Sequence, residues 1–149
     1  MHKLVIICGL LVLAAYSATS FVLCPTRSVP VPSQAPDEDE IRGVESIPLM
    51  RAYREYNRLY FTGTLPADVV VAWGDNLEDS ASVVVREKES GHCAIFINKR
   101  LRWAPELAEI LLLHEMVHVA HWEIKGDDDP RFQAAMQRLA AEGAFKGLW

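Results

Sequence analysis

Apolar positions recur along the chain with two different periods, and each change of period marks a new element. Over residues 48 to 61, Leu49, Tyr53, Tyr56 and Tyr60 fall at helical spacing on one face while Arg51, Arg54, Glu55 and Arg58 take the other. This pattern predicts an amphipathic helix with its aromatics in the core. Gly63 and Pro66 end it. Three short β-branched runs follow, Val69–Trp73, Ser82–Arg86 and Cys93–Ile97, separated by turn-rich stretches at 74 to 81 and 87 to 92. They predict a small three-stranded antiparallel sheet.

From Pro105 the spacing lengthens again. Leu107, Ile110, Leu111, Leu112, Leu113, Met116, Val117, Val119, Trp122 and Ile124 are apolar on nearly every side of a helix, which predicts that the helix is buried. Pro105 at its start and Gly126 just past its end frame roughly 21 residues. A last helix is predicted from Pro130 to about Glu142, capped by Asp129 and ended by Gly143, with Phe132, Ala135, Met136 and Leu139 inward.

Ahead of these elements the composition changes twice. Residues 4 to 23 are apolar and uncharged after Met1-His2-Lys3, so residues 1 to 24 read as a signal peptide or an N-terminal membrane anchor. Ala18 and Ser20 offer a cleavage site before Phe21, and the span is equally long enough to cross a bilayer uncut. Either outcome predicts an exported chain, periplasmic, extracellular or anchored in the cell envelope. Residues 25 to 46 hold Pro25, Pro30, Pro32 and Pro36 and then Asp37-Glu38-Asp39-Glu40, the composition of a solvated linker. The globular domain is then 47 to 149. With 15 Lys and Arg against 20 Asp and Glu and a net charge of −5, the chain carries no basic stripe, and nucleic acid is not expected as a partner. Of its 3 cysteines, Cys8 lies in the leader, and Cys24 and Cys93 do not make a disulfide framework. Cys93, opening a strand, reads as a small packing residue.

Within the apolar helix stand His114-Glu115-Met116-Val117-His118. Two imidazoles at i and i+4 project from one face and can close on a single Zn²⁺, with Glu115 beside it to take a proton from water. Two histidines and a glutamate are costly to bury in an apolar helix unless a partner such as a metal satisfies them. His121, at i+7, shares that face but lies roughly 10 Å along the axis from His114, too far to join the same ion from a straight helix. It reads as a supporting or core histidine.

The order of helix, three strands, HExxH helix, acidic loop and helix resembles the SprT-like family of zinc metallopeptidases, which includes the Spartan-type proteases. The matching stretches are Tyr56-Asn57-Arg58-Leu59-Tyr60-Phe61-Thr62-Gly63 with Leu65-Pro66, Cys93-Ala94-Ile95 with Ile97-Asn98, Leu113 to His118, and Pro130-Arg131-Phe132 with Met136 and Leu139. The resemblance implies an α+β, zincin-like fold, His114 and His118 as zinc ligands, and Glu115 as general base. It also implies a third histidine in an H-G-x-x-F motif. Counting back from Phe132, that position falls on Asp128, with Asp129 in place of the glycine. A carboxylate is a competent zinc ligand, so Asp128 is expected as the third. Asp127 reads as a solvated charge.

The expected function is zinc-dependent hydrolysis of peptide bonds in a protein or peptide substrate, which the resemblance implies is held as an added strand on the sheet edge. The rival is a catalytically inactive module of the same fold that binds metal or peptide in the cell envelope.

Overall fold

Ser46 starts the first helix. Its hydroxyl accepts from the Leu49 amide at 3.4 Å, and Pro48 lies in the first turn, where no amide donor is needed. Helix α1 runs Ile47–Tyr60 and buries Leu49, Met50, Tyr53 and Asn57. Tyr53 is fully buried, and its hydroxyl donates to the Pro66 carbonyl at 2.8 Å, so its polar end costs little. Asn57 grips Leu65 at both ends, accepting from its amide and donating to its carbonyl, each at 3.1 Å. The turn between them needs two left-handed residues, Thr62 at φ 54° and Gly63 at φ 72°. The computed structural model describes residues 6–7, 43–75, 77, 79–87, 90–124 and 126–148.

The sheet contains β1 (Ile6–Ile7), β2 (Gly43–Glu45), β3 (Val70–Gly74), β4 (Ser82–Arg86) and β5 (Cys93–Asn98), in the order β1-β4-β5-β3-β2. The three predicted runs are all strands, but the sheet is mixed. β4 and β5 form an antiparallel hairpin, whereas β3 lies parallel to β5 with Val71 opposite Ile95. An all-antiparallel sheet, as expected, would form if strands adjacent in sequence paired with each other. Here β5 lies between β3 and β4, so those two strands do not pair. Two short strands come from outside the predicted domain. Gly43–Glu45, in the stretch read as linker, pairs antiparallel with β3, and Ile6–Ile7, in the stretch read as leader, pairs antiparallel with β4. The rest of residues 1 to 42, the stretch read as leader and linker, lies outside the described residues. Among the described residues no helix is long and apolar enough to cross a membrane.

Helix α2 (Pro105–Ala120) is 16 residues long and ends short of Gly126. His121 leaves helical conformation at φ −129°, ψ 61°, and the Ile124 amide bonds back to its carbonyl at 2.9 Å. Ile124 is fully buried and Trp122 packs against the core, so both extend the apolar pattern without extending the helix. Periodicity alone does not separate these cases. Helix α3 (Pro130–Ala141) follows as expected. Asp129 accepts from the Arg131 amide at 2.8 Å as its cap, and Phe132 and Leu139 face inward. The Arg131 guanidinium beside Asp129 also holds that carboxyl down to about 2.

One core unites these layers. Val69, Val71, Val84, Ile95 and Ile97 meet Ala108, Leu112, Leu113, Met116 and Val117 from α2, with Tyr53 from α1 and Leu139 from α3. The consequence for the site is that α2 is held from several sides with almost no freedom to turn about its axis.

Candidate metal site

His114 and His118, one helical turn apart on α2, bring their ring centroids to 5.2 Å. Phe132 from α3 packs against both, at 4.7 Å from His114 and stacked at 4.5 Å on His118. The ring of Phe132 thereby sets the planes of both imidazoles, since neither can rotate without displacing a buried side chain. This explains a phenylalanine at that point in the motif.

The turn after α2 brings the third group. Asp127 Oδ1 lies 3.3 Å from His114 Nε2 and 3.1 Å from His118 Nε2. The donor atoms of the three residues all lie within 4.8 Å of one another. Whether they fit a zinc ion can be judged from the edges of the triangle: two ligands on a tetrahedral zinc with bonds of about 2.0–2.1 Å stand roughly 3.3 Å apart. Both distances to Asp127 match that value. His118 is fully buried, while the His114 and Asp127 side chains are 15% and 17% exposed, so the group opens to solvent on their side.

The carboxylate at the site is therefore Asp127 and not Asp128. Asp128 is exposed, and its Oδ1 turns back over Gly126, where an added Cβ would come within 2.8 Å of it. The register counted from Phe132 points to Asp128, whereas the group that could hold a metal contains its neighbour Asp127. A carboxylate also reaches less far from its backbone than an imidazole Nε2, so the register of a histidine ligand need not suit an aspartate. His121 lies outside the group as well: it caps α2 at the surface, with Nδ1 3.8 Å from a Glu123 oxygen.

Glu115, the other charged member of the pentapeptide, is fully buried. Burial pushes its carboxyl above the usual carboxylate range. His114, a hydrogen bond from Ser82 and His118 oppose that shift, and Asp127 adds to it. The Ser82 hydroxyl donates to Glu115 Oε1 at 2.6 Å. Ser82 belongs to no motif in the sequence, although one signal marks it. It shares the inward face of β4 with Val84, so a polar residue stands where the alternation calls for an apolar one. Cys93 is a free, buried thiol whose pKa is raised by burial, the condition of a packing residue and not of a nucleophile.

This arrangement can hold a divalent cation on two imidazoles and one carboxylate, with a further carboxylate alongside to move a proton. Comparison with curated proteins and with solved structures finds no match. The model of the SprT-like family matches residues 49–146, from α1 through the end of α3 and beyond, and the chain belongs to the SprT-like family.

Proposed function

We propose that the chain is a zinc-dependent peptidase of the zincin type, with His114, His118 and Asp127 as metal ligands and Glu115 as general base. The observation that carries this reading is the pair of 3.3 and 3.1 Å separations from Asp127 to the two imidazoles, which suit one tetrahedral ion. Zinc, when bound, supplies a Lewis acid that polarises the scissile carbonyl and acidifies water. His114, His118 and Asp127 would hold it. Glu115 takes the proton of the attacking water and passes it to the leaving amine. The rival reading, a binding module without turnover, finds support in the aspartate that stands where the family's histidine is expected. It leaves the burial of Glu115 unexplained, because a buried carboxylate is costly and a site that only binds metal has no use for a base.

The substrate expected is an extended peptide added antiparallel to the outer edge of β4, the strand that meets the HExxH helix through Ser82 and Glu115. Pairing of Ile6–Ile7 with Val84 and Val83 supports this, since it is an antiparallel strand on that edge. Export accompanied by cleavage of the leader, or its insertion in a bilayer, withdraws those residues and leaves the edge for substrate. Purified protein is expected to carry about one zinc per chain and to cleave an unfolded protein, to stop after chelation, and to resume when zinc is restored. Full turnover in the chelated protein would defeat the metal mechanism, and stoichiometric zinc with no cleavage would establish the binding module.

Export is the second element of the proposal, motivated by the uncharged residues 4 to 23 behind Lys3. A reporter active only outside the cytoplasm, fused after Trp149, is expected to be active. Activity of a cytoplasm-only reporter in the same fusion would remove the export claim.

A further inference from the structure

Glu115 has two oxygens with different surroundings. Oε1 accepts from Ser82 at 2.6 Å, and Oε2 is buried without a hydrogen-bond partner among the described residues. A carboxylate turns about its last bond and its oxygens are interchangeable until something distinguishes them. A single short bond from a fixed donor does so, holding the plane of the group and leaving one oxygen to react.

Ser82 is such a donor. It is fully buried at the first residue of β4, opposite Ile97 of β5. The Asn98 amide donates to the Ala81 carbonyl at 2.9 Å, and the Asn98 side-chain nitrogen donates to the Ser80 carbonyl at 3.0 Å. Asn98 thus clamps the two residues before Ser82, and the hydroxyl is delivered to α2 by the sheet and not by a loop.

We infer that Ser82 is the positioning residue of the hydrolytic site: it anchors Glu115 Oε1 so that Oε2 alone takes the proton of the attacking water. The inference rests on the peptidase reading above. It also gives the β4 edge a second part in the site, because the strand proposed to receive the substrate is the strand that orients the base. A small displacement of a base from its productive geometry costs rate without weakening binding, so the effect belongs in kcat.

The test uses the full chain with Ser82→Ala and Ser82→Thr, the second keeping the hydroxyl on a residue suited to a strand. In zinc-loaded protein, Ser82→Ala is expected to lower kcat by about 10- to 100-fold with KM and zinc affinity within roughly two-fold of the parent, and Ser82→Thr to restore most of the loss. A purely structural serine would lower the stability of Ser82→Ala and leave kcat of the folded protein unchanged, and that result overturns the proposal. A second measurement needs no turnover. The infrared difference between metal-free parent and Glu115→Gln protein isolates the Glu115 carboxyl band, which is expected to shift in Ser82→Ala and to stay in place in Ser82→Thr. A band unmoved in Ser82→Ala shows that Ser82 does not hold the carboxyl and overturns the proposal. If the parent itself proves inactive, the peptidase reading falls, and the band alone decides whether Ser82 holds the carboxyl.

Discussion

Glu115→Gln is expected to lower kcat/KM by about 10²- to 10⁴-fold while zinc content stays at the parent level, because it removes the base and leaves both imidazoles and Asp127 in place. It is also expected to stabilise the metal-free protein at neutral pH. Burial raises the folded-state pKa of Glu115 above its ordinary value of 4.5, with the two histidines and the hydrogen bond from Ser82 opposing it. A group whose folded pKa is raised binds its proton more tightly in the folded state. Its favourable contribution is therefore full below about 4.5 and is lost as pH rises through the folded value. Glutamine does not titrate. The stability advantage of Glu115→Gln should then be absent in acid and grow towards neutral pH, on the order of 1–3 kcal/mol for relief of a buried, partly paired carboxylate. Thermal melts of both metal-free proteins across this range, with turnover of the zinc-loaded forms, check the two halves separately. Parental turnover in the variant would remove Glu115 as the base. Equal melting at every pH would show that its carboxyl is not strained by burial.

Asp127→Ala is expected to weaken zinc binding by about two to three orders of magnitude, roughly 3–4 kcal/mol, since it deletes one of three protein ligands. Asp128→Ala should change it by no more than about two- to three-fold, the scale of an exposed charge near a cation. Asp128→His should not raise affinity, because that side chain lies over Gly126 and away from the imidazoles. Competition against a chelating dye measures all three. A large loss in Asp128→Ala with little in Asp127→Ala would place the ligand one residue further along and reverse the assignment drawn from the 3.1 and 3.3 Å separations.

Much of the fold was legible in the sequence because its elements carry local signals. The periodic tyrosines of α1, the β-branched runs and the start and stop signals at Pro105, Asp129 and Gly143 each reflect chemistry within a few residues, and each element is present, with only the end of α2 well short of its predicted place. His114, Glu115 and His118 belong to the same class of signal. Their spacing is a property of one helix, so their common location needs no knowledge of what packs around it. Phe132 was legible as a core residue, but its role in setting two imidazole planes depends on how α3 crosses α2.

What the tertiary structure alone decided is every relation that spans a turn or joins two elements. The parallel pairing of β3 with β5 sets β5 between two strands that are neighbours in the chain, which no hydrophobic period encodes. The end of α2 at Ala120 depends on the burial of Ile124, which the core favours over another helical turn. That early end sends the chain back towards the histidines and selects Asp127 over its two aspartate neighbours, one exposed and one occupied as a cap. Ser82 meets Glu115 across 33 positions of sequence for the same reason. Composition and spacing specify which groups a segment offers, because those depend on near neighbours. Which groups meet is decided by the packing of a shared core, a cooperative property of the whole chain in which distant residues compete for the same space.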